Sequence, residues 1–212
     1  MPDQRLPRDF FAIPAADLAP NLLGTRLVRI LDDATRLSGV IVETEAYVGV
    51  NDRASHAFNA RRTPRNEAMY ADAGTAYVYF TYGMHWCFNV VCARTNVPEA
   101  VLVRAIRPVQ GIDSMRTRRG GAPDLDLARG PARLCQALAI DRALNAADLT
   151  SSDRLWIESG QRPGKIARTP RIGVAYAGHW ARRRLRFIEV GSPFVSGTKS
   201  KPVALSRRGL AR

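Results

Sequence analysis

Residues 76–91, AYVYFTYGMHWCFNVV, read as two apolar, aromatic-rich strands meeting at a Tyr82-Gly83-Met84 corner. Runs of this composition on either side of a glycine turn are the pattern of an antiparallel hairpin. Small polar residues usually occupy such a tip, where water solvates them. Here the tip carries Tyr82, Met84, His85 and Trp86 instead. A bulky apolar corner is a liability in water, so it points to a partner that covers it.

Outward from this hairpin the chain continues in short strands. Residues 27–31 and 37–47 flank a turn at Asp32-Asp33, and a further strand is expected over 101–106. The second of these alternates: Gly39, Ile41, Glu43, Glu45 and Tyr47 fall on one face, Val40, Val42, Thr44 and Ala46 on the other. Residues 155–158, 172–176 and 185–190 are also expected strands. Short helices are expected over 15–23, within 109–118, and after Gly130-Pro131, where proline suits a first helical turn. Residues 48–74, polar and Arg-rich, read as a long functional loop. Strands outnumber helices and are joined mostly by turns, so the expected fold is α+β. A single domain over 1–212 would hold a curved antiparallel sheet, flanking helices and a protruding hairpin, with about 1–14 and 200–212 loosely ordered.

Charge is the strongest bulk signal. The chain of 212 residues carries a net charge of +13. Between Arg162 and Arg212 thirteen Arg or Lys face one acid, Glu189, so that segment holds +12 of the total. Such a lopsided basic face suits a polyanion, bound largely through counterion release. The opening segment lacks a basic region followed by an apolar core, so no signal peptide is expected, and no run is long enough for a membrane span. Cys87, Cys92 and Cys135 lack metal-binding spacing and read as buried thiols in a reducing cytoplasm. His56, His85 and His179 are too scattered for a metal site.

Chemistry is concentrated in a few side chains. Glu43 and Glu45 stand two apart on one strand face, where each loses solvation and repels the other. Either both are paired with arginines or on a solvated edge, or one is a general base held near an arginine and able to deprotonate a water. Arg104, inside the apolar run VLVRAI, needs a carboxylate or an anion, and Glu45 or Glu43 is the candidate. Tyr77 and Tyr79 share a strand face. Asn89 sits amid WCFNVV, where an unpaired amide costs about 1–3 kcal/mol.

The segments IVETEAY, DRASH, TPRN, AYVYFTYGMHWCFNVV, VLVRAI, GPARLCQALAI, RIGVAYAGHWARRRLRF and GSPFVS occur in that order. Together they resemble the alkyladenine (3-methyladenine) DNA glycosylase family over residues 22–196. The resemblance implies a monofunctional hydrolase of base excision repair, acting as a monomer on duplex DNA with damaged purines, cytoplasmic and associated with the nucleoid. No metal or organic cofactor is implied. Expected substrates are 3-methyladenine and 7-methylguanine, with hypoxanthine and ethenoadenine as further candidates. Glu45 matches the family's general base, Arg104 its partner in holding the attacking water, and the backbone carbonyl of Ile172 a third contact. Tyr47, His56 and Tyr79 would grip the extruded purine, and Asn89 would crowd the 2-amino group of guanine. Tyr82, with Met84, would enter the minor groove and fill the space the nucleotide leaves. His85 and Phe88 stand where the mammalian proteins have Tyr and Met, which bears on substrate range. The alternatives are a non-catalytic DNA-binding module on the same fold, and a different chemistry on a formyltransferase-like scaffold.

Overall fold

The computed structural model describes residues 5–81 and 83–197. Eight strands form one antiparallel sheet: β1 (Arg26–Ile30), β2 (Arg36–Tyr47), β3 (Ala76–Thr81), β4 (His85–Cys92), β5 (Glu99–Gln110), β6 (Leu155–Glu158), β7 (Ile166–Thr169) and β8 (Arg186–Glu189). Their order is β3-β4-β5-β2-β1-β6, with β8 pairing both β2 and β7. The sheet curls into a half-barrel, and four short helices complete an α+β fold: α1 (Arg8–Phe11), α2 (Ala15–Asn21), α3 (Ile112–Arg118) and α4 (Pro131–Ala137).

β2 is the axis of this arrangement. At twelve residues it is longer than either partner on one edge, so β1 takes residues 36–40 and β8 takes 43–45. On the other edge it runs against β5 with a register shift between Ile41 and Glu43. This shift is a β-bulge: one extra residue reverses the alternation of side chains beyond it. The regular alternation expected for 37–47 therefore does not hold. Ile41, Thr44 and Ala46 lie on the side of the main core, Thr44 donating its hydroxyl proton to the Ala19 carbonyl of α2 at 2.8 Å. Val42 packs on the opposite side with Ala105 and Val195, where Ser196 reaches Glu43. Gly39 is needed for close approach: a Cβ there would stand 2.6 Å from the Ile106 side chain.

The main core lies between the sheet and the helices. Phe11, Leu18, Leu22, Leu27, Phe88, Ile106 and Phe187 are all essentially buried in it. Removing this much apolar surface from water, at roughly 25 cal/mol per Å², is what holds the layers together. α4 begins with Pro131 and covers β4 and β5 with Leu134, Cys135 and Ala137.

Several expected boundaries shift for identifiable reasons. Residues 5–14 are not loose: Leu6 donates to the Ile157 carbonyl at 2.9 Å, and Phe11 is fully buried in an α1 that went unanticipated. β5 runs on to Gln110, and α3 starts only after Gly111, whose φ of 74° ends the strand. Residues 172–176 form no strand. Gly173 and Gly178 take φ of 78° and 61°, and the segment Ala175–Arg182 turns as a 3-10 helix. Besides β2, the strand that pairs with β8 is β7, earlier in the chain. The loop over 48–74 contains three 3-10 turns. Within 76–91, Thr81 pairs with His85, Met84 is 67% exposed, and Tyr82 lies outside the described residues. Residues 200–212 lie outside them too. Among the described residues no helix is long and apolar enough to cross a membrane.

Candidate active site

The bulge in β2 turns Glu43, Glu45 and Tyr47 away from the main core, toward the side on which β5 presents Arg104. Both carboxylates are completely buried, and Arg104 lies between them. Its Nε donates to Glu43 at 2.8 Å, one terminal nitrogen stands 3.3 Å from Glu45, and the other reaches the Ser196 hydroxyl at 3.3 Å. The sequence left the partner of Arg104 open between the two glutamates. It bridges both.

The two glutamates have different surroundings. Glu43 accepts from Arg104, from Arg186 Nε at 2.7 Å, and from the Ser196 hydroxyl at 2.9 Å and amide at 2.6 Å. Three of these donors converge on Oε1 and one reaches Oε2, and two of the four are arginines, which suits a structural anion. Glu45 accepts the Tyr47 hydroxyl at 3.0 Å and the Ile172 backbone N–H at 2.8 Å, besides the Arg104 contact. A carboxylate offers about four acceptor positions, so one is left for a further donor such as water. Ile172 meets this carboxylate through its amide, whereas the family resemblance implies a role for its carbonyl. Burial pushes the Glu45 carboxyl above its ordinary range, against the pull of Arg104, the Ile172 amide and the Tyr47 hydroxyl. Burial, with Glu45 beside it, holds the Tyr47 phenol protonated, as its donor role requires.

In front of this cluster lies a cavity of about 320 Å³ whose wall includes Tyr47, Tyr79, Asn89, Arg104 and Ile172. His56 completes the wall from the 48–74 loop, its ring centroid 4.5 Å from that of Tyr79. Asn89 donates to the Tyr77 carbonyl at 3.0 Å, which fixes its amide in the wall. Tyr47, His56, Tyr79, Asn89, Arg104 and Ile172 thus line one cavity, and Glu45 lies outside its wall, bonded to Tyr47, Arg104 and Ile172. Met84 is on the exposed corner and outside the cavity wall.

Other functional residues were not assigned from sequence. Tyr77 lines the cavity, and its hydroxyl is 2.8 Å from His56 Nδ1. Desolvation, together with the cations Arg65 and Arg61, lowers the His56 pKa to about 4, so the imidazole is neutral at pH 7. His56 is exposed on its open side, and a ligand sealing the cavity would complete its desolvation. Arg171 and Asp52 form a wholly buried bidentate pair at 2.5 and 2.8 Å. Arg171 also lies over the Tyr47 ring, 4.7 Å from its centroid, and donates to the Ala46 carbonyl at 2.9 Å. Asp52 accepts the amides of Val48 and Ala54. This pair ties the Tyr47 ring to the start of the His56 loop. The signal in the sequence was an arginine and an aspartate in motifs already noted, RIGV and DRASH, with the partner of each unstated.

Taken together, the site can hold a flat aromatic ligand between tyrosine and histidine rings and present a buried carboxylate behind it. The family profile described as Methylpurine-DNA glycosylase matches residues 9–193. A mouse protein named DNA-3-methyladenine glycosylase is 43% identical over 205 residues, covering 91% of this chain and 61% of its own. The human protein of that name is also 43% identical, with 91% and 68% covered. A Methanocella arvoryzae protein named putative 3-methyladenine DNA glycosylase is 47% identical over 192 residues, covering 90% of this chain and 95% of its own. The chain therefore spans about three-fifths of the mouse protein's length.

Proposed function

Because the chain belongs to the methylpurine-DNA glycosylase family, we propose that it hydrolyses the N-glycosidic bond of damaged purines in DNA and acts in base excision repair. The observation that carries this reading is Glu45, buried directly behind the wall of an aromatic cavity and bonded to three residues that line it, Tyr47, Arg104 and Ile172. A cavity of about 320 Å³ is at the small end of ligand pockets, which run roughly 300–1,000 Å³. A purine stacked in duplex cannot reach its floor. It must be swung out of the helix, at a cost of a few kcal/mol that its stacking between Tyr47, Tyr79 and His56 offsets.

In the proposed reaction Glu45 takes a proton from a water as that water's oxygen bonds to the deoxyribose C1′. The bond from C1′ to the purine nitrogen breaks and its electron pair leaves with the base. A purine alkylated at N3 or N7 is cationic, so it departs neutral with no proton supplied. The products are an abasic site and a free base. Arg104 stabilises the ionised Glu45 that the first step needs. An amine nucleophile would instead give a Schiff base and strand cleavage. Of the three lysines, Lys165 alone is among the described residues, and it is not in the cavity wall. Met84, at the corner between β3 and β4, and Tyr82, two residues before it in the sequence, are assigned as the wedge that occupies the vacated space, an apolar device typical of minor-groove binding.

The test is a panel of duplexes with 3-methyladenine, 7-methylguanine, hypoxanthine or ethenoadenine, scored by release of the free base. The parent protein is expected to release alkylated purines and leave alkali-labile sites without cutting the strand itself. E45Q is expected to bind the same duplexes and release nothing. Base release by E45Q at the parent rate would remove Glu45 as the base, and a parent that releases no base from any duplex would leave a DNA-binding module.

A further inference from the structure

Beside the base cavity lies a second, more polar cavity of about 310 Å³. Arg53, Arg61 and Arg65 line it with Thr63 and Asn66, and among the described residues no carboxylate side chain is in its wall. It shares Ala54, Ser55, His56, Tyr77 and Tyr176 with the first cavity, so the imidazole–phenol pair described above belongs to the wall common to both.

Four arginines occur in the stretch between Arg53 and Arg65, and they divide into two kinds. Arg62 is neutralised: its Nε donates to Glu67 at 3.0 Å, and its guanidinium covers the Tyr70 ring. The other three have no ion pair within the described residues. Arg53 is 5.9 Å from the Phe58 ring, Arg65 donates to the Phe80 carbonyl at 2.8 Å, and all three are exposed. Three like charges around one hollow repel each other, and an anion there would relieve that repulsion. Threonine and asparagine add uncharged hydrogen-bonding groups.

Position identifies the anion. Arg65 anchors the second cavity to Phe80, near the end of β3, and the next residue, Thr81, lines the mouth of the base cavity. A nucleotide whose base enters the first cavity stays joined to its strand by phosphates that must pass this rim. We propose that the second cavity is a phosphodiester site for the strand bearing the extruded nucleotide, with Arg53, Arg61 and Arg65 as its cations. This rests on the glycosylase reading and adds to it a specific electrostatic link. After desolvation, Arg65 and Arg61 are what lowers the His56 pKa, so an anion bound between them offsets part of that lowering.

Two measurements test the site. Binding of the parent and of R53Q/R61Q is compared on duplexes carrying a non-hydrolysable abasic analogue, with a neutral methylphosphonate placed in turn at each phosphate flanking it. The parent is expected to lose affinity at one flanking position and the double variant to lose nothing further there. The variant's slope of log affinity against log salt should be shallower by about 2, or about 1 per arginine. Both arginines are exposed, so the variant is expected to fold, which its thermal melting checks. Equal losses in the two proteins at every position, or none in either, would overturn the proposal. Second, NMR titration of His56 with and without inorganic phosphate reads the link. An upward shift in the parent but not in the variant shows that a free anion suffices. A methylphosphonate effect without that shift restricts the site to phosphates of a strand and supports it equally. Base release by the parent is scored separately, so failure of this site and failure of the glycosylase reading give different results.

Discussion

Glu43 and Arg104 form an ion pair 2.8 Å long in which the carboxylate side chain is wholly buried and the guanidinium 9% exposed. Glu43 gathers four donors, two of them arginines, and Arg104 spends only one terminal nitrogen on Glu45. The division of labour follows from these contacts. One carboxylate fixes the arginine, and the arginine then faces the other.

Replacing Glu43 by Gln leaves Arg104 and Arg186 short of a buried counter-charge. Breaking a buried pair this way costs about 3–5 kcal/mol, which urea denaturation should record. Ser196→Ala, which removes a hydroxyl that donates to the Glu43 carboxylate and accepts from Arg104 but leaves the charges paired, should cost less, about 1.5–3 kcal/mol. Base release by E43Q should fall through kcat more than KM. Its acid limb should move to lower pH, because the charge of Glu43 is one of the influences raising the Glu45 pKa. A lower stability with an unmoved pH profile would make Glu43 purely structural.

Glu45 must be ionised to act as a base, and burial raises its pKa. Activity should therefore rise with pH through a midpoint above the ordinary glutamate value of about 4.3. Stability has the opposite sign. A carboxyl whose folded pKa is raised contributes stability that is complete below its unfolded pKa and lost as pH climbs through the folded one. E45Q removes that loss, so thermal melting at pH 7 should find it at least as stable as the parent.

His56 carries a pKa lowered to about 4. NMR of its ring protons should show the neutral form down to that region, and base release should show no step near the free histidine value of about 6.5. With a depressed folded pKa, the stability linked to this residue is present above the unfolded value and lost as pH falls through about 4. His56→Gln should flatten that part of the stability profile.

Asp52→Asn leaves Arg171 buried without its counter-charge, an expected loss of about 3–5 kcal/mol. Because Arg171 lies over Tyr47, and Asp52 holds the Val48 and Ala54 amides, the variant should also bind its purine more weakly. A raised KM at temperatures well below its melting point is the signature, and an unchanged KM would confine the pair to stability.

The legible parts of this protein were those set by local pattern. β6 begins and ends where its four apolar and charged residues predicted, and the two strands of 76–91 pair as their aromatic runs suggested. Buried charges were legible too, since Arg104 in an apolar run demands a partner wherever it folds. The RIGVAYAG segment misled because Ile172, Val174 and Tyr176 alternate like a strand. Glycine dihedrals near 78° and 61° turn the backbone instead, and Ile172 and Tyr176 are 41% and 69% exposed.

By itself the sequence determined which groups would need each other: two acidic side chains on one strand, arginines in apolar strands, and aromatic rings near a polar loop. Tertiary structure alone decided which carboxylate gathers two arginines and which meets only one. That choice depends on a one-residue bulge in β2, and on residues 171–196 arriving to supply Arg171, the Ile172 amide, Arg186 and Ser196. Hydrogen bonds act over about 3 Å, and no local pattern in a chain fixes distances of that size between segments more than a hundred residues apart.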